Sequence, residues 1–142
     1  MRFWDTSAIV PLLVQETSST WAQKLLAEDR EMLVFWLAEI EALSALNRRR
    51  REGALDEAGF ALAQKRLQRL KDAWHEVKPT ERIRKEAIRL LQTHPLRTLD
   101  ALQLAALCVV AKNLPTPLPL VALDVRLAQA AAQEGFPVLQ RV

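Results

Sequence analysis

The chain has 142 residues with 20 basic and 17 acidic side chains, a formal net charge of +3. That length predicts one domain, spanning residues 1–142, and suffices for a substantial core, while the mild positive charge tolerates a nucleic-acid partner without requiring one. A single cysteine, Cys108, excludes an internal disulfide framework and favours a reducing compartment. We find no signal peptide and no apolar run long enough to span a bilayer, so we expect a cytoplasmic protein.

Short apolar segments alternate along the chain with segments of helical periodicity. The first predicted strand ends at Asp5. The other four cover 32–36, 74–78, 119–123 and 137–139. The predicted helices cover 8–14, 18–28, 37–51, 56–71, 80–91, 99–112 and 126–133. Pro11 is placed in the first turn of its helix, where proline is tolerated. On the longer helices Ile40, Leu62 and Leu91 are expected to face inward.

The strands are short and nearly all apolar, which is typical of a parallel sheet that is covered on both faces. We therefore predict an α/β fold, a three-layer α/β/α sandwich with a central parallel sheet. In such sheets ligands bind at the carboxyl ends of the strands.

Four acidic residues from distant parts of the chain are predicted to converge at that edge. Asp5 ends the first strand, Asp124 ends the fourth, Glu41 lies early in the helix after the second, and Asp100 opens a nearly apolar helix. Each has an ordinary alternative role. Asp100 and Asp124 could be helix N-caps, and Glu41 could be a solvated residue with Glu39 as its rival. Asp5 has the weakest such alternative, because burying an unpaired charge is costly.

A group of carboxylates cannot all ionise side by side without a cation. Oxygen ligands suit Mg²⁺ or Mn²⁺. Such a site can hydrolyse phosphodiesters with a metal-activated water. Asp5, Glu41, Asp100 and Asp124 are thus candidate metal ligands and candidate catalytic residues.

Each of these acids lies in a longer segment of recognisable sequence. The segments are DTSAIV from Asp5, EALSAL from Glu41, LRTLDALQLAAL around Asp100 and VALDVRLAQAAAQEGFPVL from Val121. Together and in this order they resemble the four motifs of PIN-domain proteins, most closely the VapC toxins of bacterial toxin–antitoxin pairs. The resemblance spans essentially the whole chain. It favours Glu41 over Glu39, because Ala-Leu-Ser-Ala-Leu follows the family's glutamate.

The resemblance implies a Mg²⁺- or Mn²⁺-dependent endoribonuclease, with an RNA substrate, a cognate antitoxin protein as partner, and a homodimer. It also gives Thr6 an auxiliary role, the orientation of a water. Many relatives have histidine where this chain has Gln103, a departure that we do not expect to affect activity.

Other polar residues are weaker candidates. Ser7 is interpreted as a helix cap, and His94 as a loop residue. His75 and His94 lack the spacing of a zinc site. The arginines of 48–51 and the basic residues between 65 and 71 could contact phosphates, although solvated helix faces are the more common explanation for such residues.

Two other functions remain open from the sequence. A receiver-like signalling module also gathers acids around Mg²⁺ at strand ends, but this chain lacks the acidic pair near its first strand and the lysine at the end of its last. A degenerate PIN domain that binds RNA without cleaving it is the second alternative, against which the four intact acids argue.

Overall fold

The computed structural model describes residues 1–141. Within them, five parallel strands form one sheet: β1 Arg2–Trp4, β2 Met32–Phe35, β3 His75–Val77, β4 Leu120–Val121 and β5 Val138–Leu139. The helices of the same residues are α1 Thr6–Leu13, α2 Ser19–Glu28, α3 Ala38–Arg51, α4 Glu57–Ala73, α5 Glu81–Thr93, α6 Thr98–Ala111 and α7 Val125–Gln133. None of them is both long and apolar enough to cross a membrane.

Helices cover both faces of the sheet. Phe3 of β1 packs with buried residues of α5, α6 and α7, whereas its neighbour Trp4 packs with α1, α2, α3 and α4. Because successive side chains of a strand point to opposite faces, one short strand anchors both layers. The predicted three-layer α/β/α sandwich is confirmed.

The strand order is β3-β2-β1-β4-β5, with β1 at the centre. Phe3 pairs with Leu33 of β2 on one side and with Leu120 of β4 on the other. The chain first builds the sheet outward from β1 through β2 and β3, and then returns to the opposite side of β1. This reversal of direction creates a crevice at the carboxyl ends of β1 and β4, where parallel sheets bind ligands.

Most element boundaries differ from the sequence prediction by a few residues, and two of these differences concern residues discussed above. Helix α1 begins at Thr6, so Pro11 lies in its second turn and not its first. Strand β4 ends at Val121, so Asp124 follows the strand after Ala122 and Leu123 instead of ending it.

Three side chains that were expected to face inward are exposed. Ile40, Leu62 and Leu91 are 58%, 47% and 45% accessible, so that part of the prediction is wrong. Alanines occupy inward positions of α3 and α4, with Ala42 and Ala63 fully buried. Small side chains let these helices approach the neighbouring layer closely, and the larger residues beside them point outward.

Candidate functional site: an acidic cleft at the sheet edge

The four predicted acids line one cavity of about 350 Å³ at the carboxyl edge of the sheet, together with Glu16, which pairs with Arg49. They are Asp5 after β1, Glu41 in the first turn of α3, Asp100 in the first turn of α6 and Asp124 before α7. All but Asp5 also line an adjoining cleft of about 560 Å³. The helices of the two covering layers thus bring together residues that lie far apart in the sequence.

Asp5 is the most buried of the four acids, with 5% of its surface exposed. Its carboxylate caps α1 by accepting a hydrogen bond from the Ser7 backbone N–H at 3.2 Å. Asp5 is therefore the N-cap of α1, in place of Thr6 or Ser7. Burial raises the pKa of Asp5 to about 6, opposed by hydrogen bonds from Ser7 and assisted by the negative charges of Asp124 and Asp100.

Ser7 is a site residue that sequence reasoning missed. Its Oγ donates to Asp5 and accepts hydrogen bonds from the backbone N–H groups of Leu123 and Asp124. A serine two residues after a buried acid could have drawn attention. The interpretation as a cap was wrong because the acid itself performs that role.

The two glutamates of α3 point in different directions. Glu41 is half-buried in the cleft, where its Oε1 accepts a hydrogen bond from Gln103 Nε2 at 2.9 Å. Glu39 lies outside the cleft and pairs with Lys71 of α4 at 2.9 Å. Burial raises the pKa of Glu41 to about 7, with Asp5 and Asp100 adding repulsion and the Gln103 bond opposing it.

The remaining two acids differ in their local roles. Asp124 is the N-cap of α7 and accepts a hydrogen bond from the Leu127 N–H at 3.0 Å. Asp100 is not a cap, since the N-cap of α6 is Arg97. Burial and the neighbouring charge of Asp124 raise the pKa of Asp100.

Two polar atoms beside Glu41 are buried without a hydrogen bond of normal geometry to any described residue. One is Thr6 Oγ1, which lies close enough to Glu41 to lower its pKa slightly. The other is Oε1 of Gln103, whose side chain is 1% exposed. Buried polar groups are nearly always paired, so the Thr6 hydroxyl, which lines the smaller cavity, is suited to bind a ligand or water there.

Arginines line both cavities next to the acids. Arg97 and Arg126 line the larger one, and their charges lower the pKa of Asp100. Arg48 and Arg49 line the smaller one, but Arg49 is bound to Glu16 at 2.6 Å. Arg48, Arg97 and Arg126 form no ion pair with any residue in 1–141. Their charges are available to an anionic ligand.

Several of the other basic candidates have structural partners. Arg50 lies over the ring of Phe60 at 4.1 Å, and Arg66 donates to the backbone oxygen of Leu13. His94 is not an open loop residue. It is buried, and its two ring nitrogens contact Gln133 and Glu134. His75 is exposed on β3.

A separate group of ligand-type side chains lies away from the cleft, between α5, α6 and α7. Atoms of Glu86, Cys108 and Glu134 all lie within 4.8 Å of one another. Arg89 already bridges the two glutamates at 2.7 and 2.5 Å. Burial raises the pKa of the Cys108 thiol to about 12, so it stays protonated, as expected for a small core residue.

The four acids of the cleft are more widely spaced than that group, and no three of them meet the same 4.8 Å limit within residues 1–141. Burial raises the pKa values of Asp5, Glu41 and Asp100, so keeping these carboxylates ionised costs free energy. A bound cation would remove that cost, and the donor set consists of oxygen atoms alone.

Comparison with protein families identifies the domain that carries this cleft. A model of the PIN domain matches residues 2–133, which is most of the chain. The chain belongs to the PIN domain family. This membership replaces the receiver-like alternative left open by the sequence. A comparison with curated proteins gives no match.

Solved structures share this PIN fold over nearly the whole chain. PAE2754 from Pyrobaculum aerophilum aligns with a TM-score of 0.67 at 20% identity, over 96% of this chain and 81% of its own. A toxin–antitoxin complex from Klebsiella pneumoniae aligns at 0.67 and 15%, over 98% and 96%. VapC20 of Mycobacterium tuberculosis, a sarcin–ricin loop cleaving toxin, aligns at 0.69 and 20%, over 96% of each chain. At these identities the likeness establishes the fold.

Proposed function

We propose that this PIN domain is a divalent-metal-dependent endoribonuclease and acts as the toxin of a type II toxin–antitoxin pair. The observation that carries the proposal is the convergence of Asp5, Glu41, Asp100 and Asp124 on one cleft. Two of the structural relatives support it, since one is a sarcin–ricin loop cleaving toxin and another is a toxin–antitoxin complex. We treat residues 1–142 as one catalytic domain.

The four carboxylates are the proposed ligands of Mg²⁺ or Mn²⁺. Hard, oxygen-only donors suit these ions, and burial, which raises the pKa of Asp5 and of Glu41, favours a cation beside these carboxylates. When bound, the cation would supply a water of lowered pKa and a counter-charge for the phosphodiester. In the protein, Asp5 and Ser7 fix the floor of the cleft, and the buried Thr6 hydroxyl is free to orient a water.

The arginines beside the acids are the proposed contacts to the RNA backbone. Arg97 and Arg126 stand at one wall of the larger cleft, and Arg48 lines the smaller cavity. Unpaired guanidinium groups bind phosphate groups, and such contacts supply a large share of the affinity of a protein for a nucleic acid. An RNA strand that contacts these arginines would bring a phosphodiester over the four carboxylates.

An antitoxin protein and a second copy of the chain are the proposed partners, in the cytoplasm where the RNA substrate is found. Large apolar side chains remain exposed, among them Trp36 at 46% and Ile40 at 58%. Such surface is typical of interaction sites. Sedimentation with and without a chelator tests the homodimer. A monomer at micromolar concentration would contradict it.

Incubation of purified protein with RNA and Mg²⁺ or Mn²⁺ tests the nuclease. Asp5→Asn should abolish cleavage, because it removes a charge from the cleft without changing volume. Asp72→Asn, on the exposed side of α4, is the matched control and should cleave at the wild-type rate. A folded Asp5→Asn variant with full activity would contradict the assignment of Asp5. RNA binding without cleavage by the wild-type protein would indicate a degenerate PIN domain.

A further inference from the structure

Gln103 is a polar residue in an apolar setting. It lies in α6, its side chain is 1% exposed, and its neighbours Leu104 and Ala105 belong to the core. One half of its amide is used, because Nε2 donates to Glu41 Oε1 at 2.9 Å. The other half is not, because Oε1 is buried and has no partner within residues 1–141.

Stability does not explain an amide at this position. Burying a carbonyl oxygen without a hydrogen bond is unfavourable, and an apolar side chain of the same shape avoids the loss. The residue is therefore better explained by what its N–H does for Glu41.

Glu41 needs a group that holds it in place. Its side chain has three rotatable bonds and starts from the first turn of α3, close to open solvent. The charges of Asp5 and Asp100 repel it, which favours rotamers that leave the cleft. Among the described residues, Gln103 donates the one hydrogen bond of normal geometry that opposes this motion.

We infer that Gln103 is a positioning residue, whose amide N–H holds the Glu41 carboxylate inside the cleft so that it can bind a divalent cation together with Asp5 and Asp100. The inference rests on the proposed metal site. It gives a role to the position at which many relatives have histidine, and it agrees with the expectation that glutamine in place of histidine leaves activity intact. Hydrogen bonds to ligating carboxylates typically change metal affinity by about 10- to 100-fold.

Direct titration of the RNA-free protein with MnCl₂ in a calorimeter tests the inference. Gln103→Met keeps the volume and removes the donor, so it should bind Mn²⁺ about tenfold more weakly than the wild type. Gln103→His retains an N–H and should keep the greater part of the affinity. Gln133→Met is the matched control, because it removes an amide that contacts His94 far from the cleft.

A second background separates positioning from a general effect on the fold. In a Glu41→Gln protein, Gln103→Met should cause no further loss of Mn²⁺ affinity, because the two residues act as one unit. Wild-type affinity in Gln103→Met, or fully additive losses in the double variant, would overturn the inference while leaving the metal site standing. A wild-type protein that binds no Mn²⁺ would instead refute the proposed metal site, and the inference with it.

Discussion

Ser7 Oγ donates a hydrogen bond to Asp5 Oδ2 at 2.5 Å and also accepts from the backbone N–H groups of Leu123 and Asp124 at 2.9 and 3.2 Å. One hydroxyl thus uses its donor and both acceptor positions. It ties the end of β1 to the turn before α7, across a separation of 117 residues. Together with the pairing of β1 and β4, this serine therefore helps to fix the relative position of two proposed ligands, Asp5 and Asp124.

Ser7→Ala should lower both stability and activity. The change leaves the N–H groups of Leu123 and Asp124 without their partner, which costs about 1–3 kcal/mol in the free energy of unfolding. Urea denaturation measures this loss, and single-turnover RNA cleavage measures the effect on the cleft. Ser44→Ala, at an exposed position of α3, should change neither. Equal behaviour of the two variants would contradict the linking role of Ser7.

Glu41→Gln should impair cleavage far more than Glu39→Gln. Glu41 lies in the cleft, whereas Glu39 lies outside it, paired with Lys71. Losing a ligand charge should reduce the rate on the order of 100-fold or more, because bound metal supplies several kcal/mol of transition-state stabilisation. Breaking the partly exposed Glu39 pair should change stability by less than about 1 kcal/mol and leave the rate unaffected. The cleavage rates of the two variants at saturating metal test this prediction. Equal losses would mean that both glutamates contribute to cleavage.

The metal-free protein should become less stable as pH rises from about 4 to about 7. Burial raises the pKa of Asp5 from its ordinary value of 3.8 to about 6, so between these values the folded state holds more protons than the unfolded state. Stability then falls as pH rises. The Asp5 contribution is on the order of 3 kcal/mol. Glu41, whose pKa is raised to about 7, shifts stability in the same direction.

Thermal unfolding in a chelator at several pH values measures this dependence. Asp5→Asn should flatten the profile and make the metal-free protein more stable than the wild type at pH 8. Saturating Mg²⁺ or Mn²⁺ should also restore stability at pH 8, because the ion binds the folded state. A metal-free wild-type protein that gains stability from pH 5 to pH 8 would contradict the proposed free-energy cost of ionising the buried carboxylates.

Arg97→Gln and Arg126→Gln should weaken RNA binding, and the weakening should be greatest at low salt. Each phosphate contact to single-stranded RNA contributes a slope of about 0.7 to the dependence of log affinity on log salt. Each variant should reduce the slope by about that amount, measured in a cleavage-defective Asp5→Asn background. Arg82→Gln, on the exposed side of α5, is the control. An unchanged slope would mean that these arginines do not contact the RNA backbone.

The sequence predicts the sheet and the position of the acids because the signals are local. Apolar strands such as 32–36 are continuous in the sequence, and Asp5 follows its strand directly. Helical exposure was harder to predict. Ile40 and Leu62 are more hydrophobic than the neighbouring alanines, yet close packing of the layers selects Ala42 and Ala63 for the interior.

The supporting residues of the site could not be predicted in the same way. Ser7 bonds to a turn that is 116 and 117 residues away, and Gln103 bonds to Glu41 across 62 residues. Neither residue type signals such a partner locally, because serine is a common cap and glutamine is a common helix residue. Only the packed arrangement of α1, α3 and α6 reveals them.

The central claim is that the cleft cleaves RNA with a divalent cation held by its four carboxylates. Its most direct test is RNA cleavage after exhaustive chelation, followed by the addition of Mg²⁺, Mn²⁺ or Ca²⁺ separately. We predict no cleavage in the chelated sample, recovery with Mg²⁺ or Mn²⁺, and none with Ca²⁺, which is larger, prefers a looser coordination shell and acidifies its water less. Full cleavage by the chelated protein would contradict the metal mechanism.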